Sequence, residues 1–341
     1  MIAYYVHHHG SGHVHRATAI ARALRDEVIG LSSLPAPAGW PGRWITLPDD
    51  ADGTDPHRDD VTAGATLHWA PRHHPGLRER MALLSATLRD DAVRLLVADV
   101  SVEVALLARL HGVPVVVVAQ PGWRTDRAHR TAYDLAEAII APWPRRPAPD
   151  WPTAWPAKTV HVGALSRFDG RVRPPVGTQR RALVLWGSGG LSVSAARLHA
   201  AAAATPEWRW DIAGPARPGD SPASPPPNLQ HHGWVTDPWP LLGEAGVVVT
   251  HAGQNALAEV AAARRPAVVI PQPRPFDEQE ATAEALVHAG LGVVLPSWPA
   301  ASRWPVVLTQ AHSRGGDWAA WSRGDGAARA AAVLHDLARP R

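Results

Sequence analysis

Two stretches of the chain contain almost nothing but β-branched residues: Val115 to Val118 within VPVVVVAQPG, and Val247 to Val249 within AGVVVTHAGQ. A strand with one wet face alternates apolar and polar side chains. An unbroken apolar run bounded by turn residues is a strand buried on both faces, as in a parallel sheet covered by helices. The second run passes through a glycine turn into NALAEVAAARR and then PAVVIPQP, which is strand, helix, strand. The same grammar opens the chain with IAYYV, the loop HHHGSGHVHR and the helical ATAIARALRDE. It recurs in RLLVADV with EVALLARLHG, in AEAIIAPW and KTVHVGAL, and in RALVLWGSGG with LSVSAARLHAAAAA, and a further strand follows at RWDIAG. The expected class is α/β with doubly wound parallel sheets.

At roughly 100–200 residues per domain, 341 residues suit two domains. The charged, Gly- and Pro-bearing SRFDGRVRPPVGTQRR has the composition of a linker and separates two rounds of the grammar. The expected division is a first domain over 1–163, a hinge over 164–180, a second domain over 181–325, and a C-terminal helix over 326–341 that can pack back on the first. Residues 34–80, rich in Pro, Trp and Asp, show no clear period.

Composition removes several classes. The absence of cysteine excludes disulfides, cysteine zinc sites, iron–sulfur centres and a thiol nucleophile. The net charge of +3 comes without a Lys/Arg block, so no nucleic-acid partner is indicated. No apolar run approaches the ~20 residues that span a bilayer, and the start MIAYYVHHHG lacks the pattern of a signal peptide. A cytoplasmic protein is expected, with peripheral membrane contact left open and no pattern that sets an oligomeric state. Sixteen Trp stand against two Phe and three Tyr, either as core or as rings that stack on sugars or aromatics.

The most specific chemistry lies in THAGQNALAE, residues 250–259, where a strand end turns into a helix. Such a helix start presents free N–H groups and a positive dipole end to an anion such as phosphate. Gly253 allows close backbone approach. Asn255 can donate to a phosphate oxygen or cap the helix, and Glu259 can accept from two vicinal hydroxyls such as those of a ribose. Further on, Glu278 and Gln279 offer a carboxylate and an amide to sugar hydroxyls.

The segment THAGQNALAEVAAARRPAVVIPQPRPFDEQEATAEAL resembles the donor-binding region of the inverting glycosyltransferases of families 1 and 28, the MurG-like group. Their pattern is matched at His251, Gly253, Asn255, Glu259, Pro266, Glu278 and Gln279. It is departed from at Arg265, where glycine usually stands before the proline, and at Ala256, where many members have Ser or Thr. The resemblance implies a GT-B fold, two Rossmann-like domains facing each other across a cleft. It also implies a nucleoside-diphosphate sugar as donor substrate, with no cofactor or metal. His251 and Asn255 would serve the diphosphate, Glu259 the ribose, and Glu278 and Gln279 the donor sugar. The amino-terminal Gly10-Ser11-Gly12-His13 resembles the family's glycine loop, with Gly12 near the ligand and His13 as general base. An imidazole titrates near neutrality and can take a proton from an acceptor hydroxyl. Asp99, closing RLLVADV, would orient it or merely cap the next helix. The loop at Gly187, Ser188 and Gly189 either approaches the phosphates or is only a tight turn. Trp234 falls where family 1 members stack the nucleobase, and packing is the competing reading.

The expected reaction is transfer of a hexosyl or N-acetylhexosaminyl group to a small-molecule or lipid-linked acceptor. UDP is favoured as the nucleotide because of Glu259, and dTDP remains open. A rival is a metal-dependent hydrolase built on His7, His8, His9, His13 and His15. A third reading is a nucleotide-sugar-binding protein without catalysis.

Overall fold

The computed structural model describes residues 1–8, 10–146, 150–173, 180–187, 193–215 and 224–339. They form two compact units, the first spanning Met1–Leu165 and Asp325–Arg341 and the second Ser166–Gly324.

The first unit contains β1 (Ile2–Tyr5), α1 (Ser11–Ala23), β2 (Val28–Ser32), β3 (Arg43–Thr46), α2 (Pro75–Leu88), β4 (Leu95–Asp99), α3 (Val102–Leu110), β5 (Val115–Val118), α4 (Arg127–Leu135), β6 (Ala138–Ala141), α5 (Ala154–Ala157) and β7 (Thr159–His161). Its sheet runs β3-β2-β1-β4-β5-β6-β7, every pair parallel. Successive side chains feed two different cores. Ala3, Tyr5, Leu96 and Ala98 join the layer under α2, α3 and α4. Ile2, Tyr4, Leu95 and Val97 join the opposite layer, with Ala17 and Ile20 of α1. Both faces are dry, which is why the sequence shows no alternation.

The second unit contains β8 (Arg181–Leu185), α6 (Ala195–Ala203), β9 (Arg209–Ala213), β10 (Leu229–Gly233), α7 (Trp239–Glu244), β11 (Val247–Thr250), α8 (Gln254–Ala263), β12 (Ala267–Val269), α9 (Glu278–His288), β13 (Val293–Val294) and α10 (Trp304–Arg314). Its parallel order, β10-β9-β8-β11-β12-β13, reverses direction between β8 and β11. The last helix, α11 (Gly326–Ala338), belongs to the first unit, where Ala330 and Leu334 pack in the layer with α1.

Three local features depart from the sequence expectations. Helix α1 begins at Ser11, not after the glycine loop. Gly10, at φ +87, turns the chain so sharply that His13 and Arg16 lie on the first helical turns. The unassigned stretch 34–80 supplies the edge strand β3 and the start of α2. The first residues of the expected linker are folded into the second unit: Phe168 is buried and packs against Trp239, ring centroids 5.0 Å apart and planes tilted by 49°. The Arg167 and Arg171 guanidiniums lie 4.7 and 4.6 Å from the Phe168 ring. The Trp excess is largely core. In the second unit Trp210, Trp298 and Trp304 form one cluster, with Trp210 and Trp304 edge to face at 5.1 Å.

Candidate active site

Doubly wound sheets bind ligands beyond the carboxyl ends of strands, where the strand order reverses. In the first unit that point lies between β1 and β4. The loop after β1 leads into α1 and His13, and β4 ends on Asp99, so the topology alone brings them together. His13 Nδ1 lies 3.1 Å from Asp99 Oδ1. Asp99 is fully buried, and Arg16, one turn beyond His13, donates to the same oxygen at 2.5 Å. Burial pushes the Asp99 carboxyl up, but Arg16 and His13 outweigh it and hold it at about 2. A permanent carboxylate behind an imidazole stabilises the imidazolium formed when the ring takes a proton. The residue after Asp99, Val100, has φ +62, a costly conformation for a β-branched side chain and one that collects at functional sites. Gly12 lies in the first turn of α1, a helix start that no side chain caps.

On the open side of the ring, Gln120, just beyond β5, places its amide nitrogen 3.5 Å from His13 Nε2. Arg124 donates to the Gln120 amide oxygen at 3.1 Å. Neither residue stood out in the sequence. A polar side chain two residues beyond a Val run is the available signal for Gln120. For Arg16 the signal is its spacing, three residues from His13 on a helix that begins at Ser11.

In the second unit the reversal brings Gly187, after β8, beside His251, after β11. A Cβ placed on Gly187 would lie 3.7 Å from His251 Nε2. Ser188 and Gly189 fall outside the described residues. The Gly253 N–H donates to His251 Nδ1 at 2.9 Å, so the neutral ring carries its proton on Nε2. Burial, with the nearby Arg274 cation adding to it and a hydrogen bond donated by the ring to Gln279 opposing it, lowers the His251 pKa to about 4. His251 is thus a neutral donor at pH 7. A Cβ on Gly253 would meet His251 Cε1 at 2.3 Å and force the ring to shift, so glycine lets the ring sit where it does. It is also the N-cap of α8, which has no side-chain cap and leaves its first N–H groups for a ligand, with Asn255 in that first turn.

Glu259, 8% exposed, lies further along α8 and accepts from Arg167 Nε at 2.8 Å. Arg167 also donates to the Thr236 carbonyl at 3.0 Å. Burial raises the Glu259 pKa while Arg167 opposes the rise. Arg167 carried no signal in the sequence. Gln279 is buried, and its amide oxygen accepts from the Gln272 N–H at 3.0 Å, which ties the start of α9 to the end of the β12 segment. Glu278 is half-buried beside it. Trp234 is 57% exposed, so it is not a core residue.

The departure at Arg265 has a structural account. Arg265 is fully buried and donates to the Leu242 and Gly243 carbonyls near the C-terminal end of α7. The left-handed residue that closes α8 is its neighbour Arg264, at φ +54.

Among the described residues, one group of three side chains has the spacing of metal ligands: His68, Asp126 and His129. The N-terminal histidines form no such group among those residues. The local bonding explains the cluster without an ion. Asp126 caps α4 by accepting from the Ala128 and His129 N–H groups, and the His129 ring returns a hydrogen bond to it from Nδ1. Arg124 faces His129 Nε2 at 3.4 Å and assigns that atom as acceptor, which keeps the proton on Nδ1, the atom a metal would need.

Residues 235–300 match the glycosyltransferase family 28 C-terminal domain, the stretch that carries His251, Gly253, Asn255, Glu259, Glu278 and Gln279. No curated protein sequence matches the chain. Among solved structures, the glycotransferase of kitacinnamycin superposes with a TM-score of 0.72 at 19% identity, covering 99% of each chain. MurG of Acinetobacter baumannii gives 0.58 at 18%, covering 98% of this chain and 97% of that one. The spinosyn rhamnosyltransferase SpnG, complexed with thymidine diphosphate, gives 0.60 at 20%, covering 99% and 96%. At these identities the likeness is one of fold, the GT-B fold. Residues 235–300 are thus similar to the family 28 C-terminal domain, and the chain as a whole is similar in fold to GT-B glycosyltransferases.

Proposed function

We propose that the protein transfers a sugar from a nucleoside-diphosphate donor to an acceptor hydroxyl with inversion and without a metal. The observation that carries this reading is His13, backed by the buried carboxylate of Asp99 at the strand reversal of the first unit. His13 removes the acceptor proton as the hydroxyl attacks the anomeric carbon. The departing diphosphate meets the uncapped start of α8, the neutral Nε2–H of His251 and the Arg274 cation, a set that handles its charge without an ion. Glu259 takes the ribose diol, which favours UDP. A 2′-hydroxyl bonded to a carboxylate contributes roughly 1.5–3 kcal/mol, so dTDP should bind about 10- to 150-fold more weakly. Trp234 is exposed enough to stack on the base, and Glu278 and Gln279 serve the sugar. The acceptor is a small molecule or a lipid-linked sugar. No helix among the described residues is long and apolar enough to cross a membrane, so contact with a lipid acceptor would be peripheral.

The test uses UDP- and dTDP-hexoses with a panel of phenolic and alcoholic acceptors, in EDTA, with the product anomer assigned by NMR. An α-linked donor should give a β-linked product at full rate in EDTA. A retained anomer, or activity restored only by Mg²⁺ or Zn²⁺, would overturn the reading. Tight donor binding with neither transfer nor hydrolysis would favour a binding protein.

A further inference from the structure

We propose that Gln120 is a positioning residue that selects the base-competent tautomer of His13, with its own orientation fixed by Arg124. The proposal deepens the assignment of His13 as base and rests on it. The Asp99 side of the ring does not settle the tautomer. Nδ1 lies 3.1 Å from the Asp99 carboxylate, an acceptor, and also 3.1 Å from Arg16 Nη2, a donor. If Nδ1 carries the proton and donates to Asp99, Nε2 has a free lone pair and can act as base. If Nδ1 accepts from Arg16, the proton moves to Nε2 and the ring cannot take one from an acceptor.

Gln120 decides between these from the other side. An arginine has only donors, so the Gln120 group facing Arg124 Nη2 must be the carbonyl oxygen. The amide NH₂ is then the group 3.5 Å from His13 Nε2. An N–H facing Nε2 is compatible only with a lone pair there, which is the Nδ1–H tautomer. Arg124 is itself held, buried, by donating to the Pro121 carbonyl at 3.2 Å. The length of the Gln120 contact matters. At 3.5 Å it biases the ring but is too weak to compete with an incoming hydroxyl for the lone pair.

The test is the tautomer of His13 in ¹⁵N-histidine-labelled protein, read by long-range ¹H–¹⁵N correlation above the imidazole pKa, in the wild type, Gln120→Met and Gln120→Glu. The wild type should show the proton on Nδ1. Gln120→Met, similar in size and without a donor, should move population to the Nε2–H form. Gln120→Glu, which presents an acceptor to Nε2, should move it further. In turnover, Gln120→Met should lower kcat about 10-fold, as when a base is left in its wrong tautomer, with donor Kd unchanged. A wild-type ring protonated on Nε2, or a Gln120→Met spectrum identical to wild type, would overturn the proposal. The spectrum does not depend on turnover, so an inactive protein with the expected tautomers would count against the transferase reading alone.

Discussion

The Arg167–Glu259 pair offers a sharp perturbation because one partner is buried and ionisable. Glu259 is 8% exposed and holds Arg167 Nε at 2.8 Å. Arg167→Ala leaves the carboxyl in its low-dielectric site with no cation. Breaking a fully buried pair typically costs about 3–5 kcal/mol. Arg167 is 28% exposed, so water already screens it, and a reduced cost of about 1–3 kcal/mol is expected. The carboxyl can also escape by protonating, which makes the cost depend on pH. Its folded pKa is already raised by burial, and losing Arg167 raises it further. A raised folded pKa gives stability that is present below the unfolded value of about 4.3 and lost as pH rises through the folded value. Arg167→Ala should therefore melt close to wild type at pH 5 and well below it at pH 8. Each kcal/mol should appear as about 2–4 °C in a unit of this size. Adding Glu259→Gln should recover most of the pH-dependent part. Differential scanning fluorimetry across that range is the assay. An equal loss at pH 5 and pH 8 would refute the reasoning and assign the effect to lost stacking of Arg167 on Phe168.

Two other substitutions probe the second unit. Arg264→Gly removes a side chain from a left-handed helix end at φ +54, and should stabilise by up to about 1 kcal/mol, less the lost bond to the Ser322 carbonyl; a lower Tm would contradict it. Gly253→Ala forces His251 from its place, since the new Cβ would sit 2.3 Å from Cε1, and should weaken UDP binding at least ~10-fold by calorimetry while the protein remains folded.

Much of the fold was legible because its physics is local. Unbroken Val runs mean strands buried on both faces, and β5 and β11 are such strands. Stretches whose structure depends on distant partners were not legible. β3, with exposed ends, exists because β2 offers it a parallel edge, and Gly30 has no side chain where Trp44 packs. The linker composition of 166–171 concealed Phe168, whose burial is decided by Trp239 far along the chain. In the candidate site, residues with a fixed spacing on one element, such as His251, Gly253, Asn255 and Glu259, could be named from sequence. The side chains that set their protonation and orientation could not. Arg167 reaches Glu259 from 92 positions away, and Gln120 reaches His13 from 107.

The central claim is that His13 is the base of a glycosyl transfer whose donor is held by the second unit. The direct measurement is kcat for release of UDP from a UDP-sugar with acceptor, set against donor Kd by calorimetry, in wild type and His13→Ala. A positioned base contributes ~10²–10⁴ in rate, so kcat should fall by that factor, with Kd within about twofold of wild type. Turnover by His13→Ala at near wild-type rate would remove the base from His13. A large loss of donor affinity instead would make the α1 loop part of the phosphate site.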